Sequence, residues 1–151
     1  MADRVEENLI LLVEDDPSDI LLMGHAITRA GLEHSVSVVR DGEEAIAYLA
    51  AHSADPPRDR APLPILILLD LKLPKKSGFE VLEWLRRQPR VRHLPVVILT
   101  SSSEKADVER AYELGANSYI LKPTGFSQLL ETVRMLKHYW QELNASPSDR
   151  R

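Results

Sequence analysis

The sequence predicts a parallel α/β fold: five buried strands, each followed by a helix, in one sheet covered on both faces. Two observations predict it. Short, nearly continuous apolar runs alternate five times with stretches of helical character, the pattern of parallel strands buried on both sides. Four of those runs also end in residues of chemical consequence: Glu14-Asp15-Asp16, Asp70, Thr100 and Lys122. Repeated strand-helix units build a layered sheet, and right-handed crossovers leave few topologies. In such sheets ligands sit beyond the carboxyl ends of the strands, where these four groups fall.

The elements follow in order. The first strand, residues 9–13, leads into Asp16-Pro17, an N-cap with proline at the first helical position; its helix, 17–30, stops at Gly31. The second strand, 36–40, turns through Asp41-Gly42 into a helix over 43–51. The third, 65–70, is the most apolar run and ends in Asp70; after Ser77-Gly78 comes a helix over 79–87, stopped before Pro89. The fourth strand, 96–100, precedes a helix over 104–114, capped by Ser102 or Ser103 and ended by Gly115. The fifth strand, 118–121, precedes Lys122-Pro123 and a last helix over 126–143. Residues 52–64 are polar and proline-rich and read as a surface loop, and 144–151 as a frayed, flexible tail.

At 151 residues the chain suits one domain with its own core, spanning 1–143 with its centre at about 8–137 and without an output domain. A net charge of -4 argues against nucleic acid as a partner. The chain has no cysteine, hence no disulfide or zinc-thiolate chemistry. No apolar run approaches the roughly 20 residues that cross a bilayer, and the acidic N-terminus lacks a signal-peptide pattern. The expected location is cytoplasmic, with no membrane partner.

The strand ends carry the chemistry. Capping explains Asp16, and Asp19 adds charge to the first helical turn; neither role explains Glu14 and Asp15. Two carboxylates 4 Å apart repel by roughly 4 kcal/mol at an effective dielectric near 20. A hard cation such as Mg²⁺ would relieve this. Asp70 adds a third carboxylate, and an aspartate can accept a phosphoryl group as a nucleophile. Lys122, held extended by Pro123, would offset part of the acidic charge and bind phosphoryl oxygens. Taken singly, each has a plainer reading as a cap, a turn former or an exposed side chain.

In this order, Leu-Val-Glu-Asp-Asp-Pro (12–17), Leu-Leu-Asp-Leu-Lys-Leu-Pro (68–74), Val-Ile-Leu-Thr-Ser (97–101) and Leu-Lys-Pro (121–123) resemble the receiver domain of two-component response regulators. The resemblance covers about residues 9–136. The stretch Leu-Pro-Lys-Lys-Ser-Gly-Phe-Glu-Val-Leu (73–82), the proline-rich loop and the aromatic last helix are similar to the small stand-alone regulators of bacterial and cyanobacterial phytochromes. The resemblance implies strand order 2-1-3-4-5, the flavodoxin-like receiver fold. It implies that Asp70 accepts a phosphoryl group from a sensor histidine kinase or a histidine phosphotransfer protein. Asp15 would bind Mg²⁺ directly, Glu14 through a water, with Asp70 and the Lys72 backbone carbonyl as further ligands. Thr100 and Lys122 would hold phosphoryl oxygens, and Tyr119 would be the switch aromatic, its alternative being plain packing. Signals would leave by the fourth helix, fifth strand and fifth helix, or the group would pass on in a phosphorelay. Beyond its own phosphorylation and dephosphorylation the chain would not be an enzyme. The alternatives are a phosphorylation-independent structural receiver and a Mg²⁺-dependent aspartyl-phosphate phosphatase, but such enzymes usually carry a second aspartate two residues after the first, where Lys72 stands.

Other positions remain. The Lys72 side chain either reaches the pocket or joins Lys75 and Lys76 in a basic surface patch. The five histidines (His25, His34, His52, His93, His138) lack metal-ligand spacing and read as surface residues. On the last helix Phe126, Leu129, Leu130, Val133, Leu136 and Trp140 should face the sheet. Met135, Tyr139 and Leu143 form a second stripe which, with Trp140 at its border, suggests a homodimer.

Overall fold

The computed structural model describes residues 9–33, 35–53, 63–145 and 147. Five parallel strands form one sheet: β1 (Ile10–Val13), β2 (Val36–Val39), β3 (Leu66–Leu69), β4 (Val96–Thr100) and β5 (Ser118–Leu121), in the order β2-β1-β3-β4-β5. Between and after them run α1 (Pro17–Arg29), α2 (Gly42–Ser53), α3 (Gly78–Arg86), α4 (Lys105–Glu113) and α5 (Phe126–Lys137). The fold class and strand order are as expected; boundaries move by one or two residues.

Alternation along the strands sorts two cores. Leu11, Val13, Ile67, Leu69 and Ile98 point to one face, where Leu49 of α2, Val81, Leu82 and Leu85 of α3 and Ala111 of α4 cover them. Ile10, Leu12, Leu66, Leu68, Val97 and Leu99 point to the other, beneath Met23, Ala26 and Ile27 of α1 and Leu129, Leu130, Val133 and Leu136 of α5. β1, β3 and β4 have no solvent face, which is why they read as unbroken apolar runs. Among the described residues no helix is long and apolar enough to cross a membrane.

Register places the site. Val13 lies opposite Leu69, and Thr100 opposite Leu121, so Glu14, Asp70, Thr100 and Lys122 emerge at one edge of the sheet. The order of connections reverses at β1 and β3, the crevice where open α/β sheets bind ligands.

Three expectations need correction. The last helix changes winding: α5 ends at Lys137, and His138–Leu143 continue as a π-helix, with the Asn144 N–H donating to Tyr139 O at 2.7 Å; apolar spacing cannot separate the two windings over six residues. α4 is not capped by a serine. Glu104 holds the N-cap position without a side-chain bond, while buried Ser102 accepts from the Glu104 N–H and donates to Asp107. His52 is not a surface residue: it is 5% exposed, stacks on Tyr48 at 4.2 Å and has its Nδ1 2.6 Å from Tyr48 O. The apolar α2 face packed on the sheet takes the ring in. His25, His93 and His138 are exposed, as expected, whereas His34 lies outside the described residues. Residues 54–62 of the proline-rich loop, and most of the tail, also lie outside them.

Candidate functional site

Local structure aims each group. β1 carries Glu14 to the sheet edge, and the Asp16 N–H donates to Glu14 Oε2 at 3.1 Å, folding that carboxylate inward. Asp16 caps α1 as predicted, accepting from the Asp19 N–H at 2.9 Å. The Asp70 N–H donates to Val13 O, and the Lys122 N–H to Thr100 O, so the sheet ladder itself fixes where both side chains start. Gly78 is required behind Asp70: a Cβ there would run into the Asp70 carbonyl, and its N–H donates to Leu71 O. In the loop between them, the Lys76 N–H donates to Pro74 O at 2.7 Å across Lys75, whose φ is +68°. That is a γ-turn of the rare, strained hand.

One carboxylate oxygen each from Glu14, Asp15 and Asp70 lies within 4.8 Å of the others. Glu14 and Asp70 are buried and Asp15 half-buried. Into this cluster comes Lys122. Its Nζ donates to Glu14 Oε1 at 2.7 Å, Asp70 Oδ2 at 2.9 Å and Asp19 Oδ2 at 2.7 Å, which uses all three of its protons. Burial alone would lower the Lys122 pKa, but the bonds to Asp19, Glu14 and Asp70 outweigh it and hold it above the ordinary lysine value. Burial pushes the Glu14 carboxyl up, with Asp70 adding to it, against the bonds from Lys122 and the Asp16 N–H. Thr100 is fully buried, and its hydroxyl has no hydrogen-bond partner among the described residues.

The excess of buried carboxylate over ammonium is the test of fit for a divalent cation. Three hard oxygen donors converge, one of them reluctant to ionise, with a single positive charge facing them. Such a set suits Mg²⁺. Lys122 adds an ammonium on the same aspartate, and Thr100 a buried hydroxyl at the end of the neighbouring strand, groups that suit a phosphoryl acceptor.

The remaining predicted residues divide. The Lys72 side chain is exposed and stays out of the pocket, while its N–H approaches Asp70 Oδ1 at 3.4 Å. Lys75 and Lys76 are exposed too, Lys75 lying 3.6 Å from Asp41. Tyr119 is half-buried, and its hydroxyl donates to Ser102 O at 2.7 Å, tying β5 to the loop after Thr100; burial raises its pKa. Met135, Tyr139 and Leu143 are exposed, whereas Trp140 packs against the core under α1 and α5. Asp19 was read only as helix charge. Its position three residues after the cap, on the turn facing the end of β5, is the signal that could have found it.

The chain is similar to known proteins over most of its length. Residues 10–134 match the model of the response regulator receiver domain. The chain is 42% identical over 139 residues to the probable methanogenesis regulatory protein FilR2 of Methanothrix harundinacea, covering 92% of this chain and 87% of that one. It is 36% identical to response regulator Rcp1 of Synechocystis, covering 93% of each; the Mn²⁺-bound form of Rcp1 superposes with a TM-score of 0.79. The phosphorylated cyanobacterial phytochrome response regulator RcpA is 39% identical, covering 94% of this chain and 99% of that one, with a TM-score of 0.82.

Proposed function

The chain belongs to the response regulator receiver domain family, and on that premise we propose that it is a phosphoryl switch with Asp70 as acceptor. The observation that carries the reading is Lys122, held on Asp70 inside the carboxylate cluster beside the unused hydroxyl of Thr100.

The donor is a phosphohistidine, on a sensor histidine kinase or a histidine phosphotransfer protein. An Asp70 oxygen attacks phosphorus, the P–N bond breaks as the P–O bond forms, and the imidazole recovers a proton. Lys122 turns a donor from Asp70 Oδ2 toward the new oxygens, and Thr100 gives them its hydroxyl. Glu14, Asp15, Asp70 and the Lys72 carbonyl would hold Mg²⁺, which when bound supplies positive charge against the oxygens in transfer. The new group adds about -1.5 to -2 charges at one sheet edge, and the loops after β4 and β5 carry the response to the α4–β5–α5 surface. This biases an equilibrium between two states rather than creating a new one. The likeness to RcpA and Rcp1 supports a photoreceptor kinase as the donor's source. The outward stripe of Met135, Tyr139 and Leu143 supports a homodimer; a monomeric mass by light scattering, with and without phosphorylation, would refute it.

The test is the intact mass after incubation with acetyl phosphate and Mg²⁺, beside Asp70→Asn. One phosphoryl adduct on the wild type, absent from the variant and abolished by EDTA, supports the reading. An adduct that persists in Asp70→Asn overturns the assignment of the acceptor.

A further inference from the structure

Lys122 has three carboxylate partners, and they are not equivalent. Glu14 and Asp70 belong to the cluster that can hold a cation, and Asp70 is also the acceptor. Once the site is loaded, both have other claims on their oxygens. Asp19 lies outside that cluster. It reaches Lys122 from the first turn of α1, across the carboxyl end of the sheet, with Oδ2 at 2.7 Å from Nζ. Its own placement is secured by the helix cap, through its N–H on Asp16 Oδ2. Its side chain is 39% exposed, while the other two are buried.

Resting on the receiver reading above, we propose that Asp19 is the positioning residue for Lys122. It keeps the ammonium at the acceptor through the phosphorylation cycle, when Glu14 and Asp70 are otherwise engaged. The proton on Asp19 can stay there throughout, while the one now on Asp70 Oδ2 turns to the phosphoryl group. Without Asp19 the lysine is held by groups whose oxygens are in demand. Its flexible four-carbon stem then gives it several places to go.

The experiment compares Asp19→Ala and Asp19→Asn with the wild type in two readouts. The first is the NMR signal of the Lys122 ammonium, visible only while its protons exchange slowly with water. The second is the rate of adduct formation from acetyl phosphate with Mg²⁺. Asp19→Ala is expected to lose the Lys122 signal and to phosphorylate about tenfold more slowly, the scale of a small misplacement of a catalytic group. Asp19→Asn keeps an oxygen at the same reach without its charge, and should fall between. Amide spectra matching the wild type beyond α1 and β5 would show that the fold is intact. A Lys122 signal unchanged in Asp19→Ala overturns the proposal, as does a rate within twofold of wild type. If the wild type takes up no phosphoryl group, the receiver reading fails separately, and the ammonium signal still decides whether Asp19 holds Lys122.

Discussion

Replacing Asp70 by asparagine should make the protein more stable while removing its chemistry. Asp70 lies within 4.8 Å of ligand oxygens on both Glu14 and Asp15. At an effective dielectric near 20 each of those repulsions costs about 3.5 kcal/mol. Against them stands Lys122, 2.9 Å away, which contributes about 5.7 kcal/mol of attraction on the same scale. The two repulsions together thus exceed this attraction by about 1 kcal/mol, at a residue that is 6% exposed. Asparagine keeps the shape and an oxygen for Lys122 but drops the charge. The expected gain is about 1–2 kcal/mol in EDTA at low salt, or about 3–6 °C in Tm for a domain of this size. Thermal unfolding followed by circular dichroism measures it. Mg²⁺ should narrow the gap, because a ligand that binds only the folded state stabilises it in proportion to its affinity, and the wild type offers the ion one more charge. An Asp70→Asn protein no more stable than wild type in EDTA would refute this balance of charges.

Other perturbations separate the same forces. Because Glu14 has a raised pKa, the folded state binds its proton more tightly than the unfolded state does. This group therefore costs nothing below its ordinary value of 4.5 and destabilises as pH rises through the raised value. Glu14→Gln should be more stable than wild type at pH 7–8 and lose that advantage below pH 4.5, as read by urea unfolding across pH. Thr100→Val removes a buried, unpartnered hydroxyl and should gain about 1 kcal/mol in urea unfolding. Its adduct should still form, while the amide shifts that phosphorylation induces at 101–104 shrink. Gly78→Ala drives a methyl into the Asp70 carbonyl and should cost about 2–3 kcal/mol, with adduct formation slowed because the acceptor itself is displaced.

The buried strands and the edge of the sheet where the candidate site lies were legible for a simple reason. A strand buried on both faces must be apolar throughout, so the first polar residue after it marks the sheet edge without ambiguity. Asp70 after Leu66–Leu69 follows from that rule alone, whereas Lys122 ends β5, an edge strand that is only partly buried, and is marked by the following Pro123 instead. Contacts between elements were not legible, because they depend on which helix leans over which strand end. Asp19 fits a first-turn acid equally well whether it faces water or an ammonium more than a hundred residues along the chain. His52 was misplaced because a ring nitrogen on a backbone carbonyl and a stacked tyrosine can bury a polar side chain that composition assigns to the surface. Ser102 looked like a cap because serine before a helix usually is one, yet burial turns its hydroxyl to Asp107 instead.

The loop after β4 is where the acceptor's chemistry meets the outer surface, and its ties show how the two can be linked. Thr100 opens the loop with a hydroxyl that has no hydrogen-bond partner among the described residues. Two residues on, the Ser102 carbonyl accepts from Tyr119 of β5, and its hydroxyl donates to Asp107 of α4 at 2.6 Å. Arg110, one turn further along α4, lies over the Phe79 ring at 4.2 Å, and Phe79 sits beside Gly78, behind Asp70. A pull on Thr100 toward a phosphoryl oxygen therefore cannot be absorbed by the loop alone. It strains a hydrogen bond to β5, a charge-assisted one to α4 and a cation-ring contact back to α3. The two hydrogen bonds are short and directional, so the group has few intermediate arrangements and should relax by exchanging one set of partners for another. A loop of glycines with solvated ends would let Thr100 move and report nothing.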